Sequence, residues 1–426
     1  MSEFVIPVTD EAALDAARVG PKAANLAALT LAGLPTPGGF CLTADAYRHQ
    51  LDRLGLTGAV ASFDAADINA SRRLAVDVRL ALYEQPIAPE ILDPLAAAWQ
   101  RQRELSGGLG VVRSSALIED RAGANFAGQF ESFLGLASEA ELVTAVRACW
   151  AALWTTNVRR YMEGNSLSPA ETAMAVLIQP LVQAIASGGG LSRTPEGDML
   201  VAATWGLGTA IAQGEVVPDR VILGRDARVI SVHPGHKDHS DSCHHGGESR
   251  PVAVHGHRVS EPCLSHEQAG ELGRHLIRAE ELMGMPVEIE WAMDEAGIKL
   301  LQSRPLTVEK PVVPDEIWSD KPGLRGHPAG IGWGLGRAVV IECECQMSRV
   351  SRGDILVTKV AGPALSHILP HVAGIVSERG GSTSHLASLA RERGIPAVLG
   401  VIGATTRIPD GAQVAVDGVA GIVRWM

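Results

Sequence analysis

From Met174 onward the chain changes texture: "MAVLIQPLV", "MLVAATWGL" and "DRVILG" are short β-rich runs, each cut off by glycine or proline. Such runs commit the middle of the chain to a sheet. The first third reads differently. "PKAANLAALTLAGL" places apolar residues at helical spacing, with Pro21 suited to a first helical turn. "GLPTPGGFCLTADAY" then reads as a turn, a short strand and the cap of a new helix. Farther on, "SHEQAGELGRHLIRAEELMG" is an amphipathic helix, and "VEIEWAMDEAGIKLLQSRP" follows as a strand pair whose Asp294-Glu295-Ala296-Gly297 tip predicts a hairpin. The mixture defines the fold class as α/β (α+β). "LTVEKPVVPDEIWSDKPGLRG", with prolines at 311, 314 and 322, loses periodicity and reads as a hinge. The expected organisation is therefore a large domain over 1–310 with a subdomain change near 170–190, a linker over 311–329, and a small last domain over 330–426.

A chain of 426 residues has room for two to four domains. Its formal net charge of -11, with no Lys/Arg-rich run, argues against a nucleic-acid surface. The N-terminus has no basic and apolar leader pattern, and no run reaches the roughly 18 apolar residues of a membrane span. A cytoplasmic protein is expected. Six cysteines are scattered, and Cys343 and Cys345 stand too close together to suggest a framework staple, so reduced thiols are expected.

Three constellations could carry chemistry. In "VRSSALIED…NFAGQFESFLGL", Arg113 leaves a β-rich run before a Ser-Ser turn, and a glycine loop follows at Gly128. A guanidinium fork and open backbone N–H groups suit phosphate oxygens; the other reading is a buried arginine paired with Glu119 or Asp120. In the hairpin, two-residue periodicity puts Glu288 and Glu290 on one face of the first strand, and Gln302 and Arg304 on one face of the second. Hard oxygen ligands suit Mg²⁺, which keeps waters and bridges substrate phosphates; a surface ladder of ion pairs is the alternative. In "SERGGSTSHLASLARERG", Thr383 and Ser384 are good N-caps for a helix that starts beside His385. Helix N-terminal N–H groups seat anions, and a neutral imidazole there can attack a phosphoryl group. The segment 233–257 holds seven of the fourteen histidines but fits no zinc template, and a solvated mobile loop is expected.

Taken in order, "VGPKAANLAALTLAGLPTPGGFCLTADAY", "VRSSALIEDRAGANFAGQFESFLG", "MAVLIQPLV", "WGLGTAIAQGEVVPD" and "VEIEWAMDEAGIKLLQSRPLT" resemble the nucleotide-binding region of the dikinase-type phosphotransferases. "GIVSERGGSTSHLASLARERGIPAVLG" with "GAQVAVDGVAGIV" is similar to their phosphohistidine domain. These are the phosphoenolpyruvate synthases, pyruvate phosphate dikinases and rifampicin phosphotransferases. The resemblance implies an ATP-grasp domain followed by a small swivelling β/β/α domain, with ATP and Mg²⁺ as cofactors. It implies that Lys22 and Arg113 hold ATP phosphates under a loop with Gly128 and Ser132, and that Gln179, Leu181 and Val182 line the adenine side. It assigns the metal to Glu290 and Gln302 with Glu288 beside them, a phosphate contact to Arg304, and phosphorylation to His385.

The implied reaction transfers the β-phosphoryl group of Mg-ATP to His385, releasing AMP; the terminal phosphate leaves as Pi, and phospho-His385 then serves an acceptor at a second site. The sequence departs from the family pattern at Asn125, where serine is usual, at Asn157, where arginine is usual, and at "ASGGGLSRTP", which would reshape a wall of the nucleotide cleft. No barrel or large acceptor insert is seen, so the acceptor is either a small molecule, an alcohol or phenol among them, or is bound by a separate subunit. The alternatives are the ATP-side subunit of a split phosphoenolpyruvate synthase and a non-catalytic nucleotide-binding or phosphocarrier protein. Neither a nucleic-acid nor a membrane partner is expected.

Overall fold

In the computed structural model, residues 4–106, 108–119, 126, 130, 132–243, 249–308, 321–359, 365 and 368–426 are described. Gly128, the Asp120 and Asn125 positions and the prolines at 311 and 314 lie outside them. The chain groups into two compact units. One comprises 1–183, 243–250 and 299–304; the other comprises 184–242, 251–298 and 305–426.

The first unit is built on a five-stranded antiparallel sheet of β1 (Val5–Pro7), β2 (Phe40–Leu42), β3 (Gly110–Ala116), β4 (Ser132–Leu136) and β5 (Met174–Pro180), in the order β1-β2-β5-β3-β4. Helices cover it, and one continuous core holds Trp99, Trp150, Trp154 and Tyr47. The Trp154 indole N–H donates to the Tyr47 hydroxyl at 2.8 Å, while the Trp99 and Trp150 indole nitrogens are buried without a hydrogen-bond partner among the described residues. The helix Ala16–Leu31 is broken at Gly20 (φ 75°, ψ 156°), and Pro21 restarts it. Proline loses nothing at a first helical position, where its N–H would have no partner. Glycine is required before it, because a Cβ at residue 20 would lie 2.3 Å from the Ser115 carbonyl oxygen.

In the second unit, β6 (Ala186–Leu191), β7 (Met199–Trp205), β8 (Asp219–Leu223) and β9 (Val229–His233) run antiparallel in sequence order. Farther along the chain come β10 (His239–Cys243) and β11 (Ser249–Ala253), which pair as a two-stranded sheet. The histidine-rich segment, expected to be a loop, is thus partly strand. His239 bonds Asp238 at 2.8 Å and Glu215 at 3.3 Å, partners that the segment's composition did not reveal. The helix His266–Met283 opens on a capping box of Ser265 and Gln268 and closes on Gly284 in the left-handed region. It leads into β12 (Val287–Asp294), which pairs with β6. A two-residue turn then gives β13 (Gly297–Pro305), the expected hairpin.

The last sheet has eight strands: β14 (Gly323–Arg325), β15 (His327–Pro328), β16 (Trp333–Ile341), β17 (Ile355–Thr358), β18 (Gly374–Ser377), β19 (Ala397–Leu399), β20 (Gln413–Asp417) and β21 (Ile422–Trp425), ordered β14-β21-β20-β16-β17-β18-β19-β15. β16 to β19 are parallel neighbours. A parallel pair needs a crossover, and between β18 and β19 it is the helix His385–Glu392. Topology therefore places His385 just beyond a strand's C-terminal end, where open α/β sheets bind ligands.

Cys41, Cys149 and Cys263 are buried free thiols, as expected. Cys343 and Cys345 are instead joined as a disulfide across a sequence separation of 2, a correction to the all-reduced reading. A ring this small closes almost no loop, so it staples nothing together, in keeping with the spacing. Among the described residues no helix is long and apolar enough to cross a membrane.

Replacing Gly20 with alanine forces both a positive φ and the clash with Ser115, and is expected to destabilise the protein by about 1–3 kcal/mol, read as a lowered urea midpoint.

Candidate functional site

In the first unit the kinked helix delivers Lys22. Its ammonium donates to the Ser114 carbonyl at 2.7 Å and pairs with Glu119 at 3.1 Å. Glu119, 3% exposed, is thus committed to Lys22, a partner that the sequence did not suggest. Arg113 donates to the Leu301 carbonyl at 3.3 Å. Strand register places Arg113 opposite Ser132 on one side and Leu177 on the other. Gln179 lies two residues along β5 on that same face, buried, with its Nε2 lacking a hydrogen-bond partner among the described residues. Leu181 follows it, half-buried, and Val182 is buried. The segment 299–304, which carries Gln302 and Arg304, is bound to this unit through three of its backbone groups: Leu300 N–H to Pro35 O at 2.7 Å, Leu301 O to Arg113, and Ser303 O to the Asn25 amide at 3.1 Å. Gln302 is 6% exposed.

In the second unit the register of β12, β6, β7 and β8 aligns Glu290, Gly189, Ala202 and Arg220 in one row across the sheet. Residues in register point to the same side. Against the middle of that row lies the loop before His385: a Cβ on Gly189 would stand 2.6 Å from the Thr383 Cβ. Gly189, the middle glycine of "ASGGGL", is what admits Thr383 so closely. Ser384 caps the helix, accepting from Ala387 N–H at 3.3 Å, with φ -72° and ψ 162°. Thr383, the other expected cap, does not cap. It is 9% exposed, and its hydroxyl is buried without a hydrogen-bond partner among the described residues. His385 begins the helix, half-buried.

Two ionic contacts secure this loop. Arg391, in the helix's last turn, donates to Ser382 O at 2.5 Å and to the Glu288 carboxylate at 3.0 Å. Glu288 therefore serves a guanidinium, while Glu290 on the same strand face remains the half-buried carboxylate. Arg379 bonds the Glu215 carbonyl and reaches Asp238 at 2.9 Å. Burial would raise the Asp238 pKa, but the His239 hydrogen bond and the Arg379 charge outweigh it and hold the carboxyl below its usual range. Beside them, desolvation and the nearby Arg220 charge push the His327 imidazole down to about 4. Sequence reasoning named Glu119 only as a partner for Arg113 and missed Gly189, Arg379 and Arg391; only the run of three glycines was a visible signal.

The residues present fit a hard cation in one respect. Glu290 and Gln302 are oxygen donors, and among the described residues no group of three or more His, Cys, Asp or Glu side chains could form a protein-only cage. Magnesium asks for no such cage, since one or two carboxylates plus substrate phosphates suffice.

Arg391→Ala leaves the Glu288 carboxylate buried without this partner and is expected to cost roughly 3–5 kcal/mol of stability by urea denaturation. His327 titrates lower when folded than unfolded, so its contribution is intact above about pH 6.5 and is lost as pH falls towards about 4. His327→Gln should lose less stability than wild type between those two pH values.

Residues 16–320 match the family model described as pyruvate phosphate dikinase, AMP/ATP-binding domain, and 350–421 match that of the PEP-utilising enzyme, mobile domain. The chain is similar to the phosphoenolpyruvate synthase of Aeropyrum pernix, 32% identical over 457 residues covering 95% of this chain and 56% of that one. It is likewise similar to the probable phosphoenolpyruvate synthases of Archaeoglobus fulgidus (32% identical, 95% and 56% covered) and Pyrococcus abyssi (30%, 96% and 57%). It thus spans just over half the length of these relatives. The chain belongs to the pyruvate phosphate dikinase family, with the family's AMP/ATP-binding domain followed by its mobile domain.

Proposed function

We propose that this chain is an ATP-dependent, dikinase-type phosphotransferase in which His385 carries the phosphoryl group. The observation that carries the reading is the unpartnered, buried Thr383 hydroxyl beside a capped helix start. A buried hydroxyl two residues before His385 and the positive end of the helix that His385 begins favour an anion bonded to that imidazole. Neutral His385 attacks the β-phosphorus of ATP; the bond from β-phosphorus to the bridging oxygen breaks, and AMP leaves with that oxygen. Water then takes the terminal phosphoryl group as Pi, and phospho-His385 remains. A phosphoramidate keeps a high transfer potential, so the group can pass on to an acceptor hydroxyl or enol.

The assignments on the nucleotide side follow the residues. Lys22, Arg113 and Arg304 hold phosphates, with Gly128 and Ser132 over them; Gln179, Leu181 and Val182 take the base, and the orphaned Gln179 amide suits a purine edge. Glu290 and Gln302 would hold Mg²⁺, which when bound neutralises charge on the phosphates. Glu288 acts through Arg391, positioning the His385 helix. The proposed domains are 1–310, a linker over 311–329 and 330–426. Since the relatives are named phosphoenolpyruvate synthases, a pyruvate-type acceptor is the first class to test, with alcohols and phenols next and a separate acceptor-binding subunit as the further arrangement.

With Mg-ATP the protein should gain one phosphoryl group by intact mass and release AMP and Pi, and His385→Ala should abolish the label. Gly189→Leu, which would drive a side chain into Thr383, should fold but label at least tenfold more slowly. Accumulation of ADP instead of AMP, or an unlabelled wild type, overturns the reading.

A further inference from the structure

Arg220 occupies the far end of the row that begins at Glu290. Arg220 is half-buried, its Nε is buried without a partner, and among the described residues its side chain makes no hydrogen bond or ion pair. Charges withdrawn from water are usually paired or hold a ligand, and a guanidinium offers five N–H donors. The neighbouring carboxylates do not answer it. Asp219 points to the other face of β8, where it accepts from Lys237, from Gly235 N–H and from Cys263 N–H. Glu196 shares the cavity wall but forms no ion pair with Arg220 among the described residues.

The cavity that Arg220 lines is about 60 Å³. At 10–15 Å³ per water it has room for about four waters, which suits one small oxyanion and excludes a nucleotide. Thr194 and Ser382 stand on its wall. Thr194 is 8% exposed, and its hydroxyl has no hydrogen-bond partner among the described residues. Arg391 also lines the wall, with its guanidinium engaged by Ser382 O and Glu288. We propose that Arg220 and Thr194 form a binding site for a small oxyanion of the phosphate class, separate from the nucleotide site and three residues from His385 through Ser382. The site does not require His385 to be phosphorylated. Its occupant is free inorganic phosphate or the phosphate released from ATP.

The test is titration of the full chain with inorganic phosphate by calorimetry, in the presence of Mg²⁺ and a saturating non-hydrolysable ATP analogue. One phosphate should bind per chain; Arg220→Gln should weaken it at least tenfold and Thr194→Val several-fold, with analogue affinity unchanged. His385→Ala should bind phosphate as wild type does, so failure of the phosphotransferase reading leaves this result standing. Absence of phosphate binding, equal binding by Arg220→Gln, or displacement of phosphate by the analogue overturns the proposal. Should Arg220→Gln not fold, Arg220→Lys and Thr194→Val decide it, because wild-type affinity in both also overturns it. Tighter binding of oxalate than phosphate would overturn the phosphate class. Supply of 32P-labelled γ-phosphate ATP followed by rapid filtration separates the two sources: retained label marks phosphate released in place, and exchange with the pool marks free phosphate.

Discussion

The seating of the His385 helix depends on one close approach, that of Thr383 to the bare backbone of Gly189. The antiparallel register of β12, β6, β7 and β8 fixes what borders that point: a carboxylate at one end of the row, an arginine at the other, and glycine and alanine between them. Neighbouring strands lie about 4.8 Å apart, so the two small residues make a trough about two strands wide. The Ser382–Ser384 turn occupies it. A slip of one residue in β6 would turn Gly189 to the opposite face and present its neighbours instead. Gly190 meets Ile289 and Leu276 on that other side, which pins the register from behind. The seat of Thr383 and the register of the sheet are therefore one constraint.

Around this point the second unit uses charge sparingly. Arg391 is held by Glu288 and a carbonyl, Arg379 by Asp238 and a carbonyl, and the fully buried Lys237 by Asp219. Each cation has both a carboxylate and a neutral acceptor or a further polar neighbour nearby. Isolated buried charge is expensive, and such sharing spreads the cost of desolvation. Arg220 stands outside the pattern, and for that reason it carries information.

Much of this was legible in the residues. Proline at 21 announced a helix start, and the structure shows why it works: Gly20 breaks the preceding turn. The Asp294-to-Gly297 tip announced its hairpin, and Thr-Ser before His385 announced a capped helix. What was hidden is long-range. That Ser384 caps while Thr383 is left with an unanswered hydroxyl depends on Gly189, nearly two hundred positions earlier in the chain. Among the described residues Glu119 pairs with Lys22, which the kinked helix carries. The histidine-rich stretch looked like a loop by composition, but pairing between strands overrode that bias. Glu288 looked equivalent to Glu290 by periodicity; an arginine from the His385–Glu392 helix makes them different.

The Lys22 ammonium donates to the Ser114 carbonyl and stands 3.1 Å from the Glu119 carboxylate. The paired carboxylate offsets much of the charge that an incoming ligand would feel. A lysine so placed recognises direction more than charge. It can orient an anionic oxygen without gripping it.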